Sequence, residues 1–204
     1  MSSSKLVFKG RSKRGSIAEF APVLFIFFMM VLFPLINLIG YGTAVATVFF
    51  IGTNCAQAAE TATSYPDALS SMHATALKLM NSGFGKFARL SPGGGGGYNN
   101  CGADLYVIDI DYSTNTRVVS AANMQPAFTY EPNHIYEFQV VCNYQINPFL
   151  NLAGVPGIGS VPIVGKPCNT SFSSCRNAEH PEGVMAAGGT GTVITGGGPM
   201  TPFP

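Results

Sequence analysis

The sequence contains no tryptophan, and only 10% of its residues are charged. The shortage is uneven. No acid precedes Glu19, and no Asp, Glu, Lys or Arg occurs from Phe20 to Ala59. An uncharged run of that length excludes a solvated surface helix, which would carry polar side chains at helical spacing. Acid–base, nucleophilic and metal motifs are missing too: there is no G-x-S-x-G, no H-E-x-x-H and no C-x-x-C. Two acids in a D-x-D pattern are too common to count as acid–base machinery. The expectation is a protein that is not an enzyme and needs no cofactor.

What charge there is lies at the two sides of the bare run. Lys5, Lys9, Arg11, Lys13 and Arg14 precede it, while nine acids and six bases follow it. Bases next to an apolar stretch act as a topology signal rather than a phosphate-binding face, which argues against nucleic acid as a partner. They put residues 1–15 in the cytoplasm as a basic leader and the C-terminal part on the far side.

The stretch Ile17 to Ile39 (IAEFAPVLFIFFMMVLFPLINLI) is apolar apart from Glu19 and Asn37. A bilayer core of about 30 Å takes roughly 20 helical residues, so this segment is long enough to span. Pro34 lies inside it and is expected to kink or interrupt the helix. Residues 16–63 read as the transmembrane helix and its extension. Gly40/Ala44, Gly42/Ala46, Gly52/Ala56 and Ala58/Ala62 place small residues at i,i+4. That spacing suits close helix approach in lipid and so a homo- or hetero-oligomer, or it reflects alanine's helix propensity alone. Cys55 on the same segment reads as a small buried hydrophobe.

Glu19 is the anomalous charge. Ser16-Ile17-Ala18-Glu19 fits a capping box, with Ser16 as N-cap and Glu19 in the first turn. The other reading pairs Glu19 with a cation from a neighbouring subunit or with a new N-terminal amine. The run Lys13-Arg14-Gly15-Ser16-Ile17-Ala18-Glu19-Phe20-Ala21, entering an apolar helix, resembles the N-terminus of the TadE-like pseudopilins of tight-adherence (Flp) pilus systems. The resemblance covers about residues 9–65. It implies processing by a prepilin peptidase with Gly15 before the scissile bond, Ser16 as the new N-terminus, and Glu19 and Phe20 as the motif's acid and aromatic. The Gly15–Glu19 spacer of three residues is one shorter than the family's usual spacer, so an uncleaved membrane component is the other possibility. A bacterial inner-membrane location and pilus or secretion assembly proteins as partners are likewise what the resemblance implies.

Residues 64–185 are expected to form an extracytoplasmic α+β domain, a small antiparallel sheet packed on the helix. Ser64-Tyr65-Pro66-Asp67 breaks the first helix, and Leu69, Met72, Ala76, Leu79 and Met80 recur at helical spacing up to Gly83. Residues 91–97 (SPGGGGG) read as a flexible turn or linker. Leu105–Tyr112, Arg117–Ser120 and His134–Asn147 read as strands, and Phe149 to Ile163 as an apolar patch against the membrane or a partner. Residues 186–204 are low-complexity, with Thr192–Thr195 as a candidate edge strand.

Cys101, Cys142, Cys168 and Cys175 lie in the exported part, where an even number argues for two disulfides. Cys168–Cys175, closing a short loop, is the expected pair, leaving Cys101 with Cys142. His73, His134 and His180 stand apart in the sequence, which disfavours a metal site. Asp109, Asp111 and Ser113 start like a calcium loop, but Thr114 and Ser120 occupy the positions of its glycine and final glutamate. The two acids are instead expected on the solvated face of a strand. Two functions remain open: a pseudopilin-like component acting through helix and domain contacts, and a membrane-tethered module that binds a ligand or surface polymer.

Overall fold

The computed structural model describes residues 15–155, 159–185 and 193–195, and for residues 15–19 and 193–195 it describes the backbone alone. One long helix dominates it. α1 (Gly15–Phe27) runs through a π-helical turn (Phe28–Leu32) into α2 (Phe33–Glu60). The whole is roughly 70 Å long at 1.5 Å per residue. The π turn is the local answer to Pro34. Proline has no N–H to give and its ring crowds the carbonyl four residues back, at Met30. Widening that turn moves the carbonyl aside, and the N–H of Phe33 bonds Phe28 O, five residues back. The helix therefore continues past Pro34, and the expected local interruption takes the form of this π turn.

Gly15 is already helical, so Ser16 lies inside α1 and is not its N-cap, contrary to the capping-box reading. A serine cap does occur at the next helix. Ser64, expected as part of a helix break, is the N-cap of α3 (Tyr65–Met80). Its hydroxyl accepts the Asp67 N–H at 3.3 Å and donates to Asp67 Oδ2 at 2.7 Å. Pro66 sits in the first turn, where a missing N–H costs nothing. α3 turns Ala68, Met72 and Ala76 onto α2, and a short α4 (Gly83–Phe87) follows, capped by Ser82.

The sheet is antiparallel throughout: β1 (Leu90–Pro92), β2 (Ala103–Asp111), β3 (Thr116–Ser120), β4 (His134–Ile146), β5 (Cys168–Asn177) and β6 (Val193–Thr195). β4 is its axis. β5 lines one edge of β4, while β1 and β2 share the other, with β3 and β6 beyond β2. The glycine run is thus an excursion between two strand segments on one edge, not a linker between units. Asn143 holds both of its ends, accepting the Gly93 N–H at 2.9 Å and donating its own N–H to Gly102 O at 2.7 Å. Glycine is required at Gly97, where φ is +63° and a Cβ would overlap the backbone of Ala103. Gly102, at φ +77°, likewise leaves room for the Tyr144 ring.

Period-2 alternation aims Ala103, Leu105 and Val107 of β2 and Phe138, Val140 and Cys142 of β4 at the helices. They close one core with Val48, Ile51, Cys55, Ala56 and Ala59 of α2 and Met72 and Ala76 of α3. The architecture is α+β. The second half of the long helix is part of the domain's core, so no packing boundary falls at residues 63 and 64.

All five cysteines are free thiols, and the expected disulfides are not among the bonds of this fold. Cys168 and Cys175 begin and nearly end the single strand β5. Seven residues of extended chain separate them by roughly 23 Å, far beyond the reach of a disulfide. Cys101 and Cys142 are buried in the core alongside Cys55. The pH at which Cys142 would ionise is raised well above that of an ordinary thiol, first by burial and then by the neighbouring thiols.

Candidate functional site

The long helix has two different halves. From Phe20 to Ile36 its apolar side chains face outward on every side, with Phe20, Phe25, Met30 and Leu35 all exposed. One helix, Phe20–Glu60, is long and apolar enough to cross a membrane. Beyond Ile36 one side of the helix is covered by the protein itself. Asn37 marks the change.

Asn37 is 1% exposed. Its Nδ2 donates to Leu150 O at 3.0 Å and Val164 O at 2.9 Å, and its Oδ1 accepts the Leu150 N–H at 2.8 Å. The amide is therefore satisfied on both sides by the chain that follows β4, which explains a polar residue in so apolar a run. One turn further on, Gly40 leaves the space that the Phe149 ring fills; a Cβ there would overlap it. Ala44 packs against Ala88 and Ile146. At Gly52 the same logic admits Phe172 of β5.

These contacts reassign two of the four small-residue pairs. Gly40/Ala44 and Gly52/Ala56 are small because the molecule's own aromatic rings and strands press on them. Gly42 has nothing within 4 Å of its Cβ position, and Ala46 is exposed. Phe50 is exposed beside them, and Phe49 reaches Phe172 at 4.8 Å while remaining half outside. A strip of α2 facing away from the sheet is thus left open.

Arg89 ties the chain after β4 to the end of α4. Its guanidinium donates to Pro148 O and Phe149 O at 2.9 Å each, and its own carbonyl accepts from the Asn147 amide at 3.0 Å. Phe87 of α4 meets Phe149 with ring centroids 5.0 Å apart. α4 and residues 147–155 and 159–165 form a collar against one side of the helix at the level where its apolar half ends. The apolar patch expected at Phe149 to Ile163 therefore lies against the long helix, with residues 156–158 outside the described part.

The opposite end of the sheet is acidic. His134 and Asp111 face each other at the start of β4 and the end of β2. His134 Nδ1 lies 2.7 Å from Asp109 Oδ1, and Nε2 lies 3.2 Å from Glu131 Oε2 and 3.8 Å from Asp111 Oδ1. His134 is not isolated, and Asp109 is not on a solvated face: it is 7% exposed. Burial opposes the charge on His134, but the Asp109 hydrogen bond and the three carboxylates outweigh it and raise its pKa. Burial raises the Asp109 carboxyl, against the pull of His134. Hydrogen bonds from Thr114 and Ser113 hold Asp111 well below the usual carboxylate range. Among the described residues, no group of His, Cys, Asp and Glu is arranged to hold a metal ion. The cluster is a structural clasp at the sheet's end.

A third feature is a recess of about 470 Å³ between the glycine excursion and β5, lined by Gly93, Gly94, Asn143, Tyr144, Asn169, Thr170 and Ser171. The Thr170 hydroxyl is buried and has no hydrogen-bond partner.

Of the residues in the processing motif, Gly15, Ser16 and Glu19 are described by their helical backbone alone, and Phe20 is 62% exposed. Sequence reading missed Arg89, α4 and β5. β5 (CNTSFSSCRN) has one apolar residue, Phe172, on its inward face, too little alternation to register as a strand. Asn37 was visible as an anomaly, but its partners lie 113 and 127 positions away. No family model, curated protein or solved structure matches the chain.

Proposed function

We propose that the chain is a single-pass, pseudopilin-like component of a bacterial pilus or secretion assembly apparatus. It sits in the inner membrane with its N-terminus cytoplasmic and its sheet domain outside. It works through helix and domain contacts and performs no catalysis. The observation that carries the reading is the division of the long helix. Its first half is apolar on all sides, and its second half is the spine of the sheet while keeping an open strip at Gly42, Ala46 and Phe50. A subunit of that shape can occupy a bilayer and still offer a helix face to neighbouring subunits. The Gly15–Phe20 motif and its resemblance to TadE-like pseudopilins supply the rest of the argument.

Mass-spectrometric reading of the native N-terminus tests it. A mature terminus at Ser16, or an intact terminus with co-purification of assembly proteins that Glu19→Ala abolishes, is the expected result. Retention of Met1 together with a silent Glu19→Ala in assembly would sink it.

The recess beside β5 favours a second reading, a tethered binding module, because its lining is polar and the Thr170 hydroxyl there lacks a partner. Saturable binding of a hydroxyl-rich polymer to the intact chain, lost on Asn143→Leu, would favour this reading over the first.

A further inference from the structure

The collar exposes a surface that the fold does not use. Phe84, on α4, is 74% exposed, the most exposed of the large apolar side chains among the described residues. Phe87, one turn along the same helix, is also exposed. A domain that buries Phe138 and Tyr144 completely has no folding reason to leave two phenylalanines of a GFGKF turn in water.

Position along the long helix supplies the reason. Twenty residues from Phe20 to Ile39 cover about 30 Å, the thickness of a bilayer core. The next residue is Gly40, which Phe149 covers, and Phe149 in turn carries Phe87. If the helix spans, α4 is level with the outer headgroups.

Charge agrees. Residues 82–92 and 147–167 contain Lys86, Arg89 and Lys166 and not one acid, although acids outnumber bases nine to six after Ala59. Half of those six bases are therefore gathered on the collar. Lys86 and Lys166 are exposed, and the Arg89 guanidinium donates to the Pro148 and Phe149 carbonyls. The clasp of Asp109, Asp111 and Glu131 lies at the other end of β4, on the order of 40 Å away along the strand.

We propose that α4 and the flanking segments 147–155 and 159–167 form a lipid-contacting foot, with Phe84 and Phe87 inserted among the headgroups of an anionic leaflet and Lys86 and Lys166 paired with their charges. Apolar insertion beside basic residues is the usual chemistry of such a contact. The foot gives the domain a second attachment beside its helix, so the sheet stands at a set angle on the membrane. The inference rests on the membrane-spanning part of the reading above and not on pilus assembly.

The absence of tryptophan makes a direct test available. Full-length single-reporter variants Met30→Trp, Phe84→Trp and Tyr112→Trp would be reconstituted in phosphatidylcholine vesicles, with and without phosphatidylglycerol, carrying acyl chains brominated near the headgroup or near the chain end. All three positions are exposed in the fold, so the reporters replace no core contact. The Phe84→Trp reporter is expected to be blue-shifted and quenched by the shallow bromines, more so with phosphatidylglycerol. The Met30→Trp reporter should be quenched by the deep ones, and Tyr112→Trp by neither. Charge reversal by Lys86→Glu with Lys166→Glu should weaken quenching at position 84 alone. Quenching of the Met30→Trp reporter without the Phe84→Trp reporter overturns the foot and leaves the anchor standing. Quenching of neither overturns the spanning helix itself. Quenching at position 84 that ignores both phosphatidylglycerol and charge reversal overturns the anionic-leaflet assignment.

Discussion

Asn37 and Leu150 exchange hydrogen bonds in both directions, the side-chain amide of one against the backbone N–H and C=O of the other, at 3.0 and 2.8 Å. The pair joins the end of the apolar helix to a segment 113 positions later in the chain. Asn37 is buried and Leu150 partly so, and the Asn37 amide finds all its partners in this later segment.

Asn37→Ala should therefore leave the Leu150 N–H and the Leu150 and Val164 carbonyls unpaired, at a cost of about 1–3 kcal/mol. Asn37→Asp should do at least as badly, because a carboxylate would face two carbonyl oxygens it cannot donate to. Denaturation in detergent would give the loss, and limited proteolysis should show new cleavage within residues 149–165. Wild-type protease resistance in both variants would show that the amide does not hold the collar.

Gly40 and Gly42 make opposite predictions one half-turn apart. Gly40→Ala drives a methyl into the Phe149 ring and should destabilise by about 1–3 kcal/mol. Gly42→Ala enters open space and should stabilise by up to about 1 kcal/mol through helix propensity. Adding Phe149→Ala to Gly40→Ala should give a total smaller than the sum of the two single costs. Additive costs would mean that the ring and the glycine are not in contact.

The His134 clasp carries a pH dependence whose sign follows from its geometry. Its pKa lies above the ordinary 6.5, so the stabilisation is fully present below that value and is lost as pH rises through the raised one. Asp109→Asn should bring the imidazole midpoint down, as read by NMR titration, and remove most of this alkaline loss of stability. A wild-type midpoint at or below 6.5 would contradict the clasp.

Thiol labelling distinguishes this fold from a disulfide-bonded one. In the native protein Cys175 is exposed and should react first, followed by the partly covered Cys168. Cys55, Cys101 and Cys142 are buried and should react only after denaturation, giving five thiols without reductant. A count of three or one would reveal a bridge.

Much of the architecture was legible where local chemistry decides. The alternation in Leu105–Tyr112 and His134–Asn147 and the apolar run after Phe20 each determine one element by period or composition, the strands forming as Ala103–Asp111 and His134–Ile146. β5 was not legible, because its partner strand and α2 supply the burial that its own side chains lack. Nor was the clasp: Asp109 and His134 lie 25 positions apart and meet only through the β2–β4 register.

The uncharged run from Phe20 to Ala59 was by itself enough to determine that one helix can cross a membrane, since length and hydropathy are properties of a single segment. Where that helix stops being bare was decided by tertiary structure alone. Asn37, Gly40 and Ala44 acquire their meaning from Leu150, Phe149 and Ile146, whose approach depends on the whole sheet being laid along α2. Small side chains and a lone amide look alike whether they meet lipid, a neighbour or the molecule's own later chain. Only packing tells these apart.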